Sequence, residues 1–250
     1  MLLTFSNVRF SKVTRYMFLL LIIGVTTGIR FYFFPSDVPL NSDALYYFWY
    51  GSDIYHIGKL PDDWSPSNNG WPIFVSIFFN IFDSKDIFAL MQIQRVLSVI
   101  ISILITIPTY FLCKKFVARK FAIIGASFVA FDPRLMTNSF LGVTDPLYLL
   151  LITTSLVLFL FSNKKAVYFS FVLVSLATIV RAEGLVFFLV LSVMFFARYR
   201  KEGYKVFFKY LVVLGIFTLI VLPINLYRVE VIGGGIFMTN LSSGGNLVSN

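Results

Sequence analysis

Apolar residues in this sequence gather into long, nearly uninterrupted runs, and these runs constrain the fold more than any other feature. Of the 250 residues, 58% are hydrophobic and 13% are charged, whereas a soluble domain carries about 25% charged residues. A soluble fold cannot hide so much apolar surface, because a folded chain still exposes a large area to water. In lipid, each backbone N–H and C=O must be paired within its own segment, which favours helices. We therefore predict an all-α, polytopic membrane helical bundle.

The apolar runs predict about seven transmembrane helices within a single transmembrane domain, residues 1–250. The run 71–82 is predicted to be re-entrant or interfacial, since a span needs about 20 residues. That run and the short span 121–131 leave the count at seven, give or take one. A polar external tail, residues 228–250, could begin a further C-terminal region. The predicted spans are residues 16–34, 87–112, 121–131, 145–161, 166–180, 184–197 and 206–227.

Residues 35–70 interrupt the apolar pattern and are predicted to form a long external loop. They contain four prolines, five aspartates and the lone histidine, His56. Within the loop, residues 42–58 have helical spacing and form a predicted amphipathic helix at the membrane surface.

The charged residues predict the orientation of the bundle. With a cytoplasmic N-terminus and seven crossings, the cytoplasmic segments hold fourteen of the 21 basic residues and one acid, Glu202. The opposite face holds the other eleven acids. Because Lys and Arg set orientation in the positive-inside rule, this distribution predicts an integral membrane protein with its active face external. The basic residues form no contiguous patch, which excludes nucleic acid as a partner. The fourteen are Arg9, Lys12, Arg15, Lys114, Lys115, Arg119, Lys120, Lys164, Lys165, Arg198, Arg200, Lys201, Lys205 and Lys209.

Two acidic residues stand out on the external face. Asp43 begins the amphipathic stretch, where a helix N-terminus favours a carboxylate; a capping role shared with Ser42 explains it equally well. Asp145 precedes Pro146 at the start of a span, which is also ordinary N-terminal chemistry.

Three further charges lie near the hydrocarbon boundary. Arg181 and Glu183 separate two apolar runs with almost no loop, so they face either a wet cavity or each other as an ion pair. Arg95 lies deeper, eight residues after Ile87, and either snorkels or contacts an anion.

These residue types suit one kind of chemistry. A carboxylate can act as general base on a hydroxyl or amide acceptor, and an arginine fork fits a phosphate leaving group. The pattern points towards sugar transfer from a polyprenyl phosphate, but it equally describes a carrier with buried charges.

At these positions the sequence resembles the membrane-embedded C-type glycosyltransferase (GT-C) superfamily, especially its protein O-mannosyltransferase and aminoarabinose-transferase branches. The resemblance covers nearly the whole chain, and the order of the motifs supports it more than any single one. The motifs are Ser42-Asp43-Ala44-Leu45-Tyr46-Tyr47, Gly58-Lys59-Leu60-Pro61, Asn69-Gly70-Trp71-Pro72, Phe131-Asp132-Pro133, Thr144-Asp145-Pro146-Leu147-Tyr148 and Val180-Arg181-Ala182-Glu183-Gly184-Leu185.

The resemblance implies inverting sugar transfer from a polyprenyl (dolichyl or undecaprenyl) phosphate to a protein or lipid acceptor. It makes Asp43 the base and Asp145 a second acid near the acceptor or a metal. Arg181 and Arg95 would contact the donor phosphate. Glu183, Arg134 and Lys59 are expected to support the site. Asp43 and Asp145 could hold Mg²⁺ or Mn²⁺, although two carboxylates are few for a metal site. Rival hypotheses are a non-catalytic subunit or degenerate relative, and a small transporter.

Overall fold

The computed structural model describes residues 12–161 and 163–233 as a bundle of helices, and these residues include no β-strand. The all-α prediction is confirmed for this part of the chain. A short 3₁₀ turn, Arg200–Glu202, precedes the last helix. The helices are α1 (Lys12–Tyr32), α2 (Ser42–Ile57), α3 (Gly70–Phe82), α4 (Ile87–Leu104), α5 (Thr106–Phe116), α6 (Arg119–Ala130), α7 (Pro133–Leu141), α8 (Asp145–Leu160), α9 (Lys164–Val180), α10 (Gly184–Tyr199) and α11 (Lys205–Ile232).

Each segment predicted to cross a membrane coincides with one helix, or with α4 and α5 together. Two helical stretches of the described residues are long and apolar enough to span, by length and composition. They are Ile87–Phe116, of 30 residues, and Lys205–Val231, of 27 residues. Shorter apolar helices cover Met17–Tyr32, Gly70–Phe82 and Asp145–Leu160. That the remaining predicted spans cross the bilayer stays a prediction.

Two helix boundaries differ from the sequence prediction. No helix was predicted between the spans 121–131 and 145–161, but α7 lies there. The Asp132 carboxylate accepts a hydrogen bond from the Leu135 backbone N–H at 2.7 Å, and Pro133 occupies the first turn, so both residues start a helix. The helix α11 continues to Ile232, so the predicted tail boundary at 228 falls inside it. Residues 234–250 lie outside the described part.

One hydrophobic core lies between α8, α9, α10 and α11. Phe171 is fully buried at its centre, and its ring lies 5.7 Å from the Phe188 ring and 5.9 Å from the Phe195 ring, both edge-on. A second core joins α2, α3 and α4 through the buried Phe48 and Trp71. Edge-to-face contacts of this kind stabilise a packed core beyond area burial alone.

Small and hydroxyl residues line other helix contacts. Ala122, Ala126 and Ala130, spaced four apart, are all fully buried on one face of α6. The Ser155 hydroxyl donates to the Ser170 carbonyl at 2.8 Å between α8 and α9. Small residues and interhelical hydrogen bonds are typical of helix packing in lipid, where apolar side chains gain little by meeting each other.

The outward faces of the bundle remain apolar. In α11, Leu219 is 78% exposed and Phe208 is 66% exposed, and α1 exposes Leu20 to a similar degree. Water would oppose such a continuous apolar surface, whereas hydrocarbon would not. The exposed surface therefore agrees with the membrane environment that the composition predicts.

The helix directions collect the charged residues at two ends of the bundle. At one end, which we call the lysine end (Lys115, Lys164, Arg198, Lys205), the Lys115 ammonium lies 4.7 Å from the Phe161 ring. Arg198 donates there to the Phe161 carbonyl at 2.9 Å. The opposite end, which we call the carboxylate end (Asp43, Asp145, Glu183), contains the starts of α2, α8 and α10.

Candidate active site

An arginine between two carboxylates forms the centre of the carboxylate end. Arg181 Nη1 donates to Asp145 Oδ1 at 2.8 Å, and Arg181 Nη2 donates to Glu183 Oε1 at 2.9 Å. The pairing depends on a tight turn between α9 and α10. A Cβ on Gly184 would lie 2.5 Å from the Thr178 backbone nitrogen, so only glycine lets the two helices meet so closely.

The electrostatics of this triad follow from its contacts. The hydrogen bond to Glu183 raises the pKa of Arg181 above its ordinary value, and the charge of Asp145 acts in the same direction against the effect of burial. The hydrogen bond from Arg181 in turn lowers the pKa of the Glu183 carboxyl. The Arg181 guanidinium also lies 5.8 Å from the Tyr148 ring, a cation–π distance. The hydrogen bond between Arg181 and Glu183 therefore favours the charged forms of both residues.

Tyr47 connects Asp43 to this triad. Tyr47 is buried in α2, and its hydroxyl accepts a hydrogen bond from Asn68 Nδ2 at 3.1 Å. Burial raises the pKa of Tyr47, the Asn68 hydrogen bond lowers it, and the charges of Asp43, Arg181 and Asp145 all act on it. The Tyr47 phenol therefore lies within electrostatic reach of Asp43, Asp145 and Arg181.

The Asp43 carboxylate is exposed and makes no hydrogen bond or ion pair with the residues that the structure describes. The capping alternative finds no support, because the N-cap of α2 is Asn41 and no side chain caps it. Ser42 takes a φ of +48°, a conformation that non-glycine residues rarely adopt. Such strain tends to collect at functional sites.

Gln94 of α4 joins the start of α2 to the turn between α7 and α8. Its fully buried amide Nε2 donates to the Ala44 carbonyl at 3.0 Å and to the Gly142 carbonyl at 2.9 Å. Trp71 Nε1 donates to the same Gly142 oxygen at 2.9 Å. One amide therefore holds the start of α2, which contains Asp43, beside the turn that leads into α8 and Asp145.

Arg95 lies beside Gln94, and the structure gives it a role in positioning the loop. Its guanidinium donates to four backbone carbonyls and to the Gln92 side chain, so each of its three nitrogens has an acceptor. This accounts for the burial of Arg95, and we do not assign it to the donor phosphate. The carbonyls are those of Phe140 at 2.8 Å, Pro35 at 2.8 Å, Val38 at 2.8 Å and Pro39 at 3.2 Å.

The other predicted supporting residues, Lys59 and Arg134, form no ion pair with the triad among the described residues. Lys59 forms an exposed ion pair with Asp62, and Arg134 is exposed on α7. The described residues contain no group of three or more histidine, cysteine, aspartate or glutamate side chains suited to a metal ion. Asp43 and Asp145 supply two carboxylates, fewer than such a group contains.

Several residues at this end were not singled out by the sequence. Tyr47, Asn68 and Gln94 carry no charge, and only their place in the fold reveals their contacts. Arg228 looked like part of a polar tail but lies fully buried in α11. Arg30 is also fully buried, beside the Ala130 carbonyl, to which its Nη1 donates at 2.9 Å.

A cavity of about 420 Å³ lies at the junction of α6 and α7, and no predicted site residue lines it. Its walls are mostly aromatic and aliphatic, with one carboxylate and one hydroxyl. The lining residues are Ile124, Ser127, Phe128, Phe131, Asp132 and Pro133.

Comparison with solved structures shows which fold this is. No family model and no curated protein sequence matches the chain. The apo crystal structure of the Archaeoglobus fulgidus oligosaccharyltransferase superposes with a TM-score of 0.70 at 17% identity, over 88% of this chain and 30% of that one. The same enzyme tethered to an acceptor peptide with an NVT sequon gives 0.69 at 17%, over 86% and 30%.

The crystal form of that enzyme with Zn and sulfate gives a TM-score of 0.67 at 16% identity. At such identities the likeness shows the fold alone, and this chain spans about 30% of the length of that enzyme. The comparison therefore shows that this chain shares the fold of part of that enzyme.

Proposed function

We propose that this chain is an integral-membrane glycosyltransferase of the GT-C type. It moves a sugar from a polyprenyl (dolichyl or undecaprenyl) phosphate to a protein or lipid acceptor on the non-cytoplasmic face. The observation that carries the proposal is the exposed Asp43 carboxylate, which makes no ion pair with the described residues and lies within electrostatic reach of the Tyr47 phenol, as do Asp145 and Arg181 of the triad. The shared fold with an oligosaccharyltransferase supports it.

Asp43 is the base in this proposal. Its carboxylate is exposed and has no partner among the described residues, so it can accept the proton of an acceptor hydroxyl or amide. As that proton moves to Asp43, the acceptor atom forms a bond to the sugar C1. The bond from C1 to the phosphate oxygen breaks, and the lipid phosphate leaves with the electron pair. In-line displacement of this kind inverts the configuration at C1.

The triad orients groups around that step. Asp145 is held by Arg181 and can accept a hydrogen bond from the acceptor or a sugar hydroxyl. Arg181 uses one N–H of each terminal nitrogen on the two carboxylates, and its side chain is 28% exposed, which leaves two N–H groups for the leaving phosphate. Glu183 keeps the guanidinium in place.

Sugar transfer in proteoliposomes tests this function. The full-length protein, reconstituted with radiolabelled polyprenyl-phosphate sugars, is compared with Asp43→Asn, which keeps the shape and removes the base. We expect transfer to fall about a hundredfold or more, since a general base contributes roughly 10²–10⁴-fold.

Asp63→Asn is the matched control, because Asp63 is an exposed aspartate in the same loop. Equal transfer by the native protein and Asp43→Asn would remove Asp43 from the mechanism. Absence of transfer by the native protein with every donor would favour the non-catalytic alternative.

A further inference from the structure

The last two turns of α11 place an arginine under the first loop. Arg228 is fully buried, and its Nη1 donates to the Pro66 carbonyl and to Asn69 Oδ1. Its Nε and Nη2 atoms are also buried and have no acceptor among the described residues. These two nitrogens lie on the same edge of the guanidinium plane and form a fork of two parallel N–H groups, the geometry that binds phosphate or carboxylate.

No neighbouring acid accounts for this buried charge. Arginine stays protonated in proteins, so its burial requires compensation. None of the four ion pairs among the described residues includes Arg228. Arg95 differs, because each of its nitrogens has an acceptor. Arg30 also has a buried Nε and Nη2 without an acceptor among the described residues, but a carboxylate, Asp132, lies within electrostatic reach of it.

Arg228 contacts the same short segment that borders the candidate active site. Asn69 accepts its hydrogen bond, and the preceding Asn68 donates to Tyr47. The following Gly70 lies directly on the end of α9, since a Cβ there would be 2.7 Å from the Val180 nitrogen. The next residue after Val180 is Arg181. The segment of residues 68–70 therefore contacts Arg228 on one side and residues that border the triad on the other.

The charges of Asp43 and the triad together explain why a second cation is needed. Asp43, Asp145 and Glu183 outnumber Arg181 by two negative charges, so the cluster alone would repel a phosphate. We propose that the Nε–Nη2 edge of Arg228 binds the phosphate group of the isoprenoid-linked donor. This inference rests on the proposed function for the identity of the donor, and it extends the substrate site to α11.

Binding of farnesyl phosphate, a short isoprenoid phosphate, tests the inference without requiring transfer. The full-length protein in detergent is titrated with farnesyl phosphate, and thermal unfolding reports binding. Arg228→Lys keeps a positive charge and a donor for Pro66 and Asn69 but removes the fork. We expect its affinity to fall about tenfold or more, because charge-assisted hydrogen bonds are lost, while its unfolding temperature without ligand stays near that of the native protein.

A second variant tests the inference if Arg228→Lys does not fold. Asn69→Asp keeps the oxygen that accepts from Arg228 and adds a negative charge beside the guanidinium. A purely structural Arg228 would be held as well or better by this change, whereas phosphate binding would weaken. Equal farnesyl phosphate affinity in the native protein and in both variants overturns the inference.

Other ligands identify the source of the phosphate. Farnesol and inorganic phosphate are expected to bind far more weakly than farnesyl phosphate, and Arg200→Lys at the lysine end is expected to bind like the native protein. If phosphatidylglycerol nanodiscs stabilise the native protein but not Arg228→Lys, and farnesyl phosphate has no effect, the fork binds bilayer headgroups and the inference fails.

The two proposals can fail separately. Binding that depends on Arg228 in a protein that transfers no sugar keeps this inference and removes the proposed function. Transfer with an unchanged KM for the donor in Arg228→Lys keeps the function and removes the inference.

Discussion

The two ends of the bundle use their charged residues in opposite ways. At the lysine end, cations lie near the surface, where Lys115 lies over the Phe161 ring and Arg198 donates to the last carbonyls of α8. At the carboxylate end, Arg95 and Arg228 are buried and donate to segments distant in sequence. The difference indicates that charges at one end border the bundle, while charges at the other hold a loop in place.

The largest effect is expected for Arg95→Met compared with Arg198→Met. Removing Arg95 takes the donor from four carbonyls in partly buried hydrogen bonds, and a hydrogen bond to a charged group contributes about 1.5–3 kcal/mol. Arg198 is exposed, so water can replace its contacts. Thermal unfolding in detergent should show a much lower midpoint for Arg95→Met. Similar midpoints for the two variants would contradict the contrast between the ends.

Gln94→Leu tests whether the bridge between the start of α2 and the turn between α7 and α8 matters for the site. The Ala44 carbonyl loses its donor from Gln94, whereas the Gly142 carbonyl keeps its bond from Trp71. We expect a loss of about 1–3 kcal/mol in the free energy of unfolding and a larger fractional loss of sugar transfer. A transfer rate that stays at the native level in the folded variant would show that Gln94 does not position Asp43.

Two glycine substitutions compare packing at the two ends. A Cβ on Gly70 would lie 2.7 Å from the Val180 backbone nitrogen, while a Cβ on Gly125 would lie 2.7 Å from Cys113 Sγ. Backbone cannot move aside, so Gly70→Ala should destabilise by about 1–3 kcal/mol, as overpacking does. A side chain can rotate, so Gly125→Ala should cost less. Chemical denaturation of both variants measures the difference, and the reverse order would refute it.

The smallest effect is expected for Glu183→Gln. Because Arg181 lowers the pKa of Glu183, the stabilisation is present above the ordinary carboxyl pKa and is lost as pH falls through the lowered value. Glu183 is 58% exposed, so the pair contributes less than about 1 kcal/mol. Unfolding midpoints measured from neutral to acid pH should converge for native protein and variant at low pH. A gap that widens on acidification would reverse the sign.

Helix positions followed from the sequence because long apolar runs and capping residues are local signals. The start of α8 at Asp145 agrees with the acid before Pro146. The break between α4 and α5 was missed, although Pro108 lacks the N–H that would bond the Leu104 carbonyl, where α4 ends. The helix α7 was missed because the apolar pattern in its nine residues is short.

The candidate site was only partly predictable. Arg181, Glu183 and Asp145 could be singled out because charged residues beside the hydrocarbon are usually paired or functional. The structure joins the three by two ion pairs. Arg95 carried the same signal, yet its partners are carbonyls of a loop about sixty positions away, which no local pattern encodes. Arg228 followed an apolar run and resembled a tail residue. The roles of all these residues in transfer stay predictions.

The way Arg95 holds the first loop has a consequence for how this region can vary. Its contacts to Pro35, Val38 and Pro39 all go to main-chain oxygens, which every amino acid possesses. The side chains of the loop can therefore be substituted while its backbone path stays the same. The residue that fixes this path, Arg95, lies in α4 and not in the loop. A saturation mutagenesis library should tolerate many substitutions at Val38 and very few at Arg95.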